Sequence, residues 1–161
     1  MEVRLRQKYG AAGELEFRLS EPRITIAAFN ALAADKLPFA ALMGYRVEEI
    51  GYGSARMRLP VDEQHLRPGG TVARPALMGL ADATMYAVVL SMIGPVEFAV
   101  TTNLNCNFLR RPLMVDIVAE GRILKLGKRL AVGEVSLFSD GDAEPVAHVT
   151  AIYSIPPEVG N

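Results

Sequence analysis

PALMGLADATMYAVVLSMIG, residues Pro75–Gly94, is the stretch that decides the fold of this chain. Small or apolar residues occupy every side of its helical wheel and Asp82 is its only charge, a pattern typical of a helix surrounded by protein. Pro75 suits the first helical position because its missing N–H would be unpaired there, and Gly94 with Pro95 supplies a stop about five turns later. We therefore predict a buried central helix over these residues.

Asp82 is the most informative residue of this helix, because a carboxylate among apolar neighbours is costly to bury without partners. One interpretation is structural: a partly buried aspartate hydrogen-bonded to nearby hydroxyl or backbone groups at a subunit contact. The other is functional: a general base or nucleophile at the edge of a pocket. Both interpretations stay open from the sequence.

Length and composition narrow the class of protein. The chain has 161 residues, of which 50% are hydrophobic and 22% charged, so we expect a single globular domain over residues 1–161. A formal net charge of −1 argues against nucleic-acid binding and against a basic face directed at membranes. The longest apolar run, Ala83–Ile93, is too short to predict a membrane span, and the charged N-terminus predicts no secretory signal.

Cys106 is the only cysteine of the chain. A single thiol excludes an intrachain disulfide and a thiolate zinc site. We therefore expect no metal and a location in the reducing cytoplasm.

The segment before the hairpin is predicted to be helical. Residues 1–20 are an N-terminal extension that the sequence does not place. Ser20, Glu21 and Pro22 are typical of a helix start, and the apolar spacing that follows predicts a helix over Ile24–Asp35. With a short turn over Pro38–Leu42, residues 24–42 form an N-terminal helical segment that we expect to cover one side of a sheet as a lid.

The remaining pattern is that of β-strands. Alternating apolar and polar residues over Tyr45–Ile50 and Ser54–Leu59 predict an antiparallel hairpin, and the polar stretch Pro60–Gly70 is the expected active-site loop. Four longer strands follow the central helix: Glu97–Leu109, Val115–Leu126, Leu130–Ser139 and Pro145–Ile155. We predict an α+β fold in which an antiparallel sheet curls round one helix.

Four segments carry a resemblance to a known family: PFAALMGYRVEEIGYGSARMRLP (38–60), RPGGTVARPALMGLADATMYA (67–87), VTTNLNCNFLRRP (100–112) and GRILKLGKRLAVGEVSLFSDGDAEPVAHVTAIY (121–153). In this order they resemble the hotdog-fold acyl-CoA thioesterases, specifically the phenylacetate-degradation (PaaI-like) group. The resemblance implies a five- or six-stranded sheet around one helix. It also implies a homodimer with active sites at the subunit interface, or a homotetramer built as a dimer of dimers; apolar sheet edges that need cover favour such pairing independently.

The resemblance also implies catalytic roles. Asp82 falls on the family's catalytic carboxylate, which activates water or attacks the thioester, and Thr101 falls where a hydroxyl positions the water. Arg74 stands where a glycine follows a histidine in relatives, because Ala73-Arg74-Pro75 replaces their His-Gly-Gly. Its backbone N–H can still donate to the thioester oxygen at the helix N-terminus.

Arg67 takes the place of an Asn or Gln that touches the carbonyl or the water in relatives. It is expected either to donate to the carbonyl or to pair with Asp82. An ordinary strand threonine at Thr101 and a solvent-facing loop arginine at Arg67 are the alternatives. His65, alone in the same loop, is expected to be a surface residue.

Residues at strand ends are implied to bind coenzyme A, whose phosphates suit cations and turn N–H groups. They are Leu109, Arg110, Arg111, Gly127, Lys128 and Arg129. Asn103 alternates with Asn105 and Asn107, so the three share one face of a strand and either line the substrate tunnel or face solvent. Solvated basic turns are the alternative for the cations.

Three functions are compatible with this pattern. The first is hydrolysis of an acyl- or aryl-CoA, which needs no cofactor beyond the coenzyme A of the substrate. The alternative is a non-catalytic acyl-CoA-binding hotdog protein that kept the pocket and lost His-Gly-Gly. A dehydratase is disfavoured, since the central helix carries no paired histidine and acid.

Overall fold

The computed structural model describes residues 20–157, so all but the last residue of the predicted N-terminal extension lies outside the described residues. Helices α1 (Ile26–Lys36) and α2 (Pro38–Met43) come first, and the long helix α3 (Arg74–Ile93) lies near the middle of the chain. The strands are β1 (Arg46–Gly51), β2 (Ser54–Leu59), β3 (Leu66–Arg67), β4 (Thr71–Val72), β5 (Val100–Phe108), β6 (Ile117–Leu126), β7 (Leu130–Ser139) and β8 (Pro145–Ser154). A short 3₁₀ turn, Glu63–His65, precedes β3.

Six of the strands form one antiparallel sheet in the order β1-β2-β6-β7-β8-β5, and β3 pairs with β4 in a separate small hairpin. Strand β5 follows α3 along the chain yet pairs with the last strand, so it forms one edge of the sheet. The predicted α+β architecture, a six-stranded antiparallel sheet with one long helix, is confirmed.

Helix α3 is the core of the molecule. It packs on the inner face of the sheet, with its closest association to β2, β6 and β7. A Cβ at Gly133 would overlap the terminal methyl of Met85, and one at Gly121 would lie 2.9 Å from a methyl of Thr84, so two strand glycines let the helix approach closely. The fully buried apolar residues of α3 are Leu80, Ala81, Met85, Ala87, Val88, Val89 and Leu90.

The central helix lies one residue earlier than the sequence predicted. It begins at Arg74, one residue before Pro75, and ends at Ile93 with Gly94 as its C-cap. By length and composition alone, Arg74–Ile93 could cross a membrane, with a mean hydropathy of 1.7. However, 72% of that window is buried inside the protein, so its apolar side chains form part of the core.

Two boundaries differ from the sequence prediction for identifiable reasons. Helix α1 begins at Ile26, because the Oγ1 of Thr25 accepts a hydrogen bond from Ala28 N at 3.1 Å and caps it; the predicted start at Ser20–Pro22 was wrong. The predicted turn over Pro38–Leu42 is instead helix α2, which Gly44 ends with a left-handed φ of 70°.

Strand β5 also starts later than predicted. Backbone hydrogen bonds from Val96 N to Gly94 O (2.8 Å) and from Ala99 N to Val96 O (3.2 Å) form turns after α3. These bonds keep residues 97–99 out of the sheet ladder. Strand pairing therefore begins at Val100, which lies opposite Ser154.

Charged residues on the outer face of the sheet form ion pairs across neighbouring strands. Glu48 accepts hydrogen bonds from both Arg56 and Arg58, and hydrogen bonding to Arg58 holds the pKa of Glu48 below its usual range. On the neighbouring strands Glu134 pairs with Arg122 and with His148. These charged groups of the outer face therefore neutralise one another across the strands.

Candidate active site

Asp82 lies on the side of α3 that faces β5 and β8, and two hydroxyl groups hold its carboxylate. The Oγ1 of Thr101 donates to Asp82 Oδ1 at 2.6 Å. The hydroxyl of Tyr153 also lies near Oδ1, at 2.8 Å, and 3.0 Å from the Asp82 backbone oxygen. Because β5 and β8 pair Thr101 directly with Tyr153, both hydroxyls reach the same carboxylate from the sheet.

The two oxygens of this carboxylate have different surroundings. Within the part of the chain that the structure describes, the hydrogen bonds to the carboxylate go to Oδ1 and none goes to Oδ2. No fully buried side-chain oxygen among those residues lacks a partner, so Oδ2 is reached by solvent. Asp82 therefore has one anchored oxygen and one available oxygen.

Asp82 lines a cavity of about 470 Å³. Four aromatic rings line it, from Phe39, Tyr45, Tyr86 and Tyr153, together with small helix residues such as Gly79. A side chain at Gly79 would overlap the Tyr45 hydroxyl and come within 3.3 Å of Phe39, so glycine keeps this wall thin. The cavity has the size and apolar lining that suit an acyl or aryl group.

The junction of α1 and α2 closes one side of this cavity. Lys36, Leu37, Pro38, Phe39 and Ala40 all contribute to its lining. The predicted N-terminal helical segment thus forms part of the wall of the cavity that Asp82 lines, and its role as a lid stays a prediction.

The tyrosines beside Asp82 act as neutral donors at ordinary pH. Burial, with the nearby charge of Asp82 adding to it, raises the pKa of Tyr153 well above its usual range. The same two causes raise the pKa of Tyr45. Tyr153 was missed by the sequence reasoning, since VTAIY is an ordinary strand pattern and only the pairing of β5 with β8 brings its hydroxyl to Asp82.

A second cavity, of about 500 Å³, contains the other predicted catalytic residues. Arg67 and Arg74 line it together with Leu109, Arg110 and Arg111. Neither Asp82 nor Thr101 contributes to it. Within one protomer, therefore, the structure brings Asp82 to Thr101 but does not bring Arg67 to Asp82, and the predicted pairing of those two charges is absent from the described residues.

The arginines of this second cavity differ in their partners. Arg110 is neutralised by Asp142 at 2.8 Å and Glu144 at 3.2 Å. Arg111 donates to the backbone oxygen of Gly69 at 2.6 Å. The guanidinium carbon of Arg74 lies 5.2 Å from the centre of the Phe108 ring, a cation–π distance.

The start of α3 faces this cavity. Arg74 is the first helical residue, and the first amides of a helix have no acceptor within it. Ala73 contributes no side-chain cap. The Arg74 backbone N–H thus keeps the capacity to donate that the sequence analysis expected, although Ala73-Arg74-Pro75 replaces His-Gly-Gly.

The residues predicted to bind coenzyme A lie at two opposite ends of the sheet. Arg110 and Arg111 follow Phe108, which pairs with Ala147 near the start of β8. The turn Gly127–Arg129 precedes Leu130, which pairs with Ser154 at the end of β8. One protomer alone therefore does not assemble this set.

Two further predicted positions are clarified by the structure. Asn103 pairs with Ile152 and is exposed on the outer face, with Asn105 and Asn107, so the asparagine row faces away from α3 and the carboxylate. The expectation that His65 is a surface residue was wrong: only 3% of it is exposed. Its ring nitrogens contact Asp62 N at 3.1 Å and Met43 O at 3.2 Å, and these backbone partners explain its burial.

Comparisons with known proteins agree with this architecture. The family model for the thioesterase superfamily matches residues 69–146. A solved structure from Silicibacter sp. TM1040, provisionally described as a thioesterase, is 42% identical; the match covers 85% of this chain and 95% of that chain, with a TM-score of 0.77.

More distant relatives also match this chain. A variant of the phenylacetic acid degradation protein PaaI from Thermus thermophilus is 26% identical, over 74% of this chain and 99% of that chain, with a TM-score of 0.66. A protein from Thermoplasma acidophilum, provisionally named an esterase, is 26% identical over 69% of this chain and 83% of its own length. The predicted hotdog fold is thereby confirmed.

Proposed function

Since this chain belongs to the thioesterase superfamily and is a thioester hydrolase, we propose that its substrate is an acyl- or aryl-CoA and that Asp82 is the general base or nucleophile. This proposal rests on the different surroundings of the two oxygens of the Asp82 carboxylate. Thr101 and Tyr153 hold Oδ1, and Oδ2 is available beside an apolar cavity that can receive the acyl group. The hydrogen bonds expected of a structural aspartate are present, but they occupy only one of its two oxygens.

Two routes of hydrolysis are compatible with this geometry. In the first, Oδ2 takes a proton from water, the water oxygen adds to the thioester carbonyl, and the C–S bond breaks to release the thiolate, which regains the proton. In the second, Oδ2 attacks the carbonyl carbon directly, the thiolate leaves, and water hydrolyses the resulting anhydride. Both routes need a donor for the carbonyl oxygen as it becomes negative.

The donor is expected to come from a second copy of the chain. In one protomer the Arg74 amide and Asp82 belong to different cavities. Strand β5 is a sheet edge with exposed apolar residues at both ends: Phe98 and Val100 at its start, and Phe108 and Leu109 at its finish. If the β5 strands of two protomers pair in antiparallel orientation, these residues are covered and neither protomer has an exposed β5 edge.

The same pairing would bring the predicted coenzyme A-binding residues together in one site. It would place the start of one β5 beside the finish of the other. The Gly127–Arg129 turn lies at the first of these ends and Arg111 at the second, so each site would draw cations from both subunits. We therefore propose a homodimer as the functional unit.

A non-catalytic acyl-CoA-binding protein, to which the replacement of His-Gly-Gly by Ala73-Arg74-Pro75 points in the sequence, is the outcome that would overturn this proposal. Release of free thiol from a panel of acyl- and aryl-CoA thioesters separates the two functions. Hydrolysis of any member above the background rate, lost in Asp82→Asn, supports the thioesterase. Tight binding of the panel without thiol release would establish the binding protein instead.

A further inference from the structure

The hydroxyl of Tyr45 is a hydrogen-bond donor that the proposed mechanism does not use. Tyr45 lines the cavity of about 470 Å³ together with Asp82. Among residues 20–157, its hydroxyl has one acceptor, the backbone oxygen of Ala76, at 3.4 Å. Hydroxyl donors usually lie about 2.7–2.8 Å from their acceptors, so this contact is a weak one. The Tyr45 hydroxyl therefore keeps the capacity to donate a shorter hydrogen bond to a ligand in the cavity.

This hydroxyl lies over α3, one helical turn before Asp82. A side chain at Gly79 would overlap it, so the tyrosine passes directly above that glycine. Residues three apart lie on the same face of a helix, with about 5–6 Å between their side-chain positions. Burial raises the pKa of Tyr45, and the nearby charge of Asp82 adds to that effect. The hydroxyl therefore stays protonated, close to the carboxylate, at ordinary pH.

The backbone on both sides of Tyr45 holds its ring in this place. Gly44 ends α2 with a left-handed φ of 70°, and Tyr45 N donates to Ala40 O at 3.2 Å. Strand β1 begins at the next residue. Phe39, from α2, approaches the same glycine of α3. The hydroxyl is thus presented to the cavity from a fixed position, as recognition of a particular ligand atom requires.

The charges around the cavity indicate what kind of atom the hydroxyl can bind. The charged residues that line it are Lys36, Asp82 and Glu97. Lys36 is paired with Asp35 at 3.2 Å, which leaves the balance at the cavity negative. A second anion would be repelled there, whereas a neutral oxygen would only accept a hydrogen bond. The acceptor that suits this position is therefore an uncharged hydroxyl or keto oxygen.

We propose that Tyr45 is a specificity-determining residue whose hydroxyl donates a hydrogen bond to a neutral oxygen on the acyl group. This inference rests on the proposed function, which places the acyl group beside Asp82. A separation of one helical turn, about 5–6 Å between side-chain positions, puts that oxygen a few bonds beyond the thioester carbonyl, on the third carbon of an acyl chain. The substrate class is thus a 3-hydroxyacyl- or 3-oxoacyl-CoA.

Binding of thioethers, which have no carbonyl to hydrolyse, tests the proposal without depending on turnover. Calorimetry at pH 7 compares S-butyl-CoA with S-(3-hydroxybutyl)-CoA and S-(3-oxobutyl)-CoA. The keto oxygen only accepts hydrogen bonds, so it reports on a donor in the protein. The proteins are wild type, Tyr45→Phe and Tyr86→Phe. Tyr86 is the matched control, because its hydroxyl belongs to the same cavity but lies 3.5 Å from Glu97 O. Thermal melts confirm that each variant is folded.

Wild type should bind both oxygenated thioethers about five- to tenfold more tightly than S-butyl-CoA, the gain expected of one added hydrogen bond. Tyr45→Phe keeps the ring, so its affinity for S-butyl-CoA should stay within about twofold of wild type. It should lose the preference for the oxygenated ligands, because their oxygen would be buried without a donor. Tyr86→Phe should retain that preference.

The proposal is overturned if no thioether binds, or if wild type binds S-butyl-CoA as tightly as the two oxygenated ligands. It is also overturned if folded Tyr45→Phe keeps the preference, or if Tyr86→Phe loses it. Thiol release from simple acyl-CoA thioesters alongside any of these results would leave the proposed function standing. Conversely, a preference that depends on Tyr45, in a protein that releases no thiol from any thioester, would support the inference and contradict the proposed activity.

Discussion

The hydroxyl of Tyr153 lies 2.8 Å from Oδ1 of Asp82, and Thr101 donates to that same oxygen. These two hydrogen bonds fix the orientation of the carboxylate and leave Oδ2 without a hydrogen-bond partner among the described residues. The sheet thus orients the carboxylate that the helix carries.

Tyr153→Phe should lower kcat more than it raises KM. The ring remains to line the cavity, but one of the two donors that orient the carboxylate is lost, and a loss of about tenfold in kcat is expected for a positioning hydrogen bond. Steady-state kinetics on the best substrate of the panel measures both constants. Tyr86→Phe is the matched comparison, because its hydroxyl meets Glu97 O at 3.5 Å instead of Asp82; an equal fall in kcat for both variants would argue against the positioning role.

Gly79→Ala should narrow the range of acyl groups that are hydrolysed. The new methyl would overlap the Tyr45 hydroxyl and press on Phe39, which pushes both rings into the cavity. We expect kcat/KM to fall most for bulky or long acyl groups and least for acetyl-CoA, with a stability cost of about 1–3 kcal/mol from overpacking. A uniform change across acyl lengths would show that the cavity beside Asp82 does not hold the acyl group.

The oligomeric state depends on the β5 edge if the proposed pairing is correct. Wild type should sediment as a dimer or larger at micromolar concentration, and Val100→Asp should shift it toward monomer, because Val100 is 53% exposed at the start of that edge. Leu42→Asp is the control, since Leu42 is 68% exposed and lies on α2, outside the strand whose pairing is proposed. A wild-type protein that is monomeric under these conditions would contradict the proposed homodimer.

Acid stability should depend on Glu134. Burial acts to raise the pKa of Glu134, but hydrogen bonds from Arg122 and His148 outweigh it, and the pKa lies below its ordinary value of 4.5. A carboxyl with a depressed folded-state pKa contributes stability that is present above its unfolded value and lost as pH falls through the folded value. Between pH 5 and pH 3, wild type should lose stability from this group and Glu134→Gln should not.

The expected difference between the two proteins is about 1 kcal/mol, because the Glu134 side chain is largely but not fully buried. Urea unfolding at both pH values gives the free energies. Equal losses in wild type and Glu134→Gln would assign acid sensitivity to other carboxylates, such as Glu48.

The sequence predicted the elements well because the signals for them are local. Helix α3 and the six strands of the main sheet follow from periodicity, whereas β3 and β4 were not predicted, and Asp82 stands out as the only charge between Pro75 and Gly94. The contact between Asp82 and Tyr153 was beyond sequence reasoning, since it depends on the register of β5 against β8. The register of the strands also places Arg111 and Lys128 at opposite ends of the sheet. The prediction that both residues bind coenzyme A rested on the resemblance alone.

His65 shows a different limit. A lone histidine in a polar loop gives no indication of burial. Its position is set by backbone groups of Asp62 and Met43 that satisfy both ring nitrogens, and these partners become visible only once the loop is folded.

Turnover by Asp82→Asn tests the central claim most directly. Asparagine keeps an acceptor at Oδ1 for Thr101 and Tyr153, so the fold should persist with a melting temperature near that of wild type or above it. It replaces the available oxygen by an amide nitrogen, which accepts no proton and does not attack a carbonyl. We predict that thiol release falls by at least about a hundredfold in a folded protein; a folded Asp82→Asn protein with wild-type turnover would contradict the mechanism.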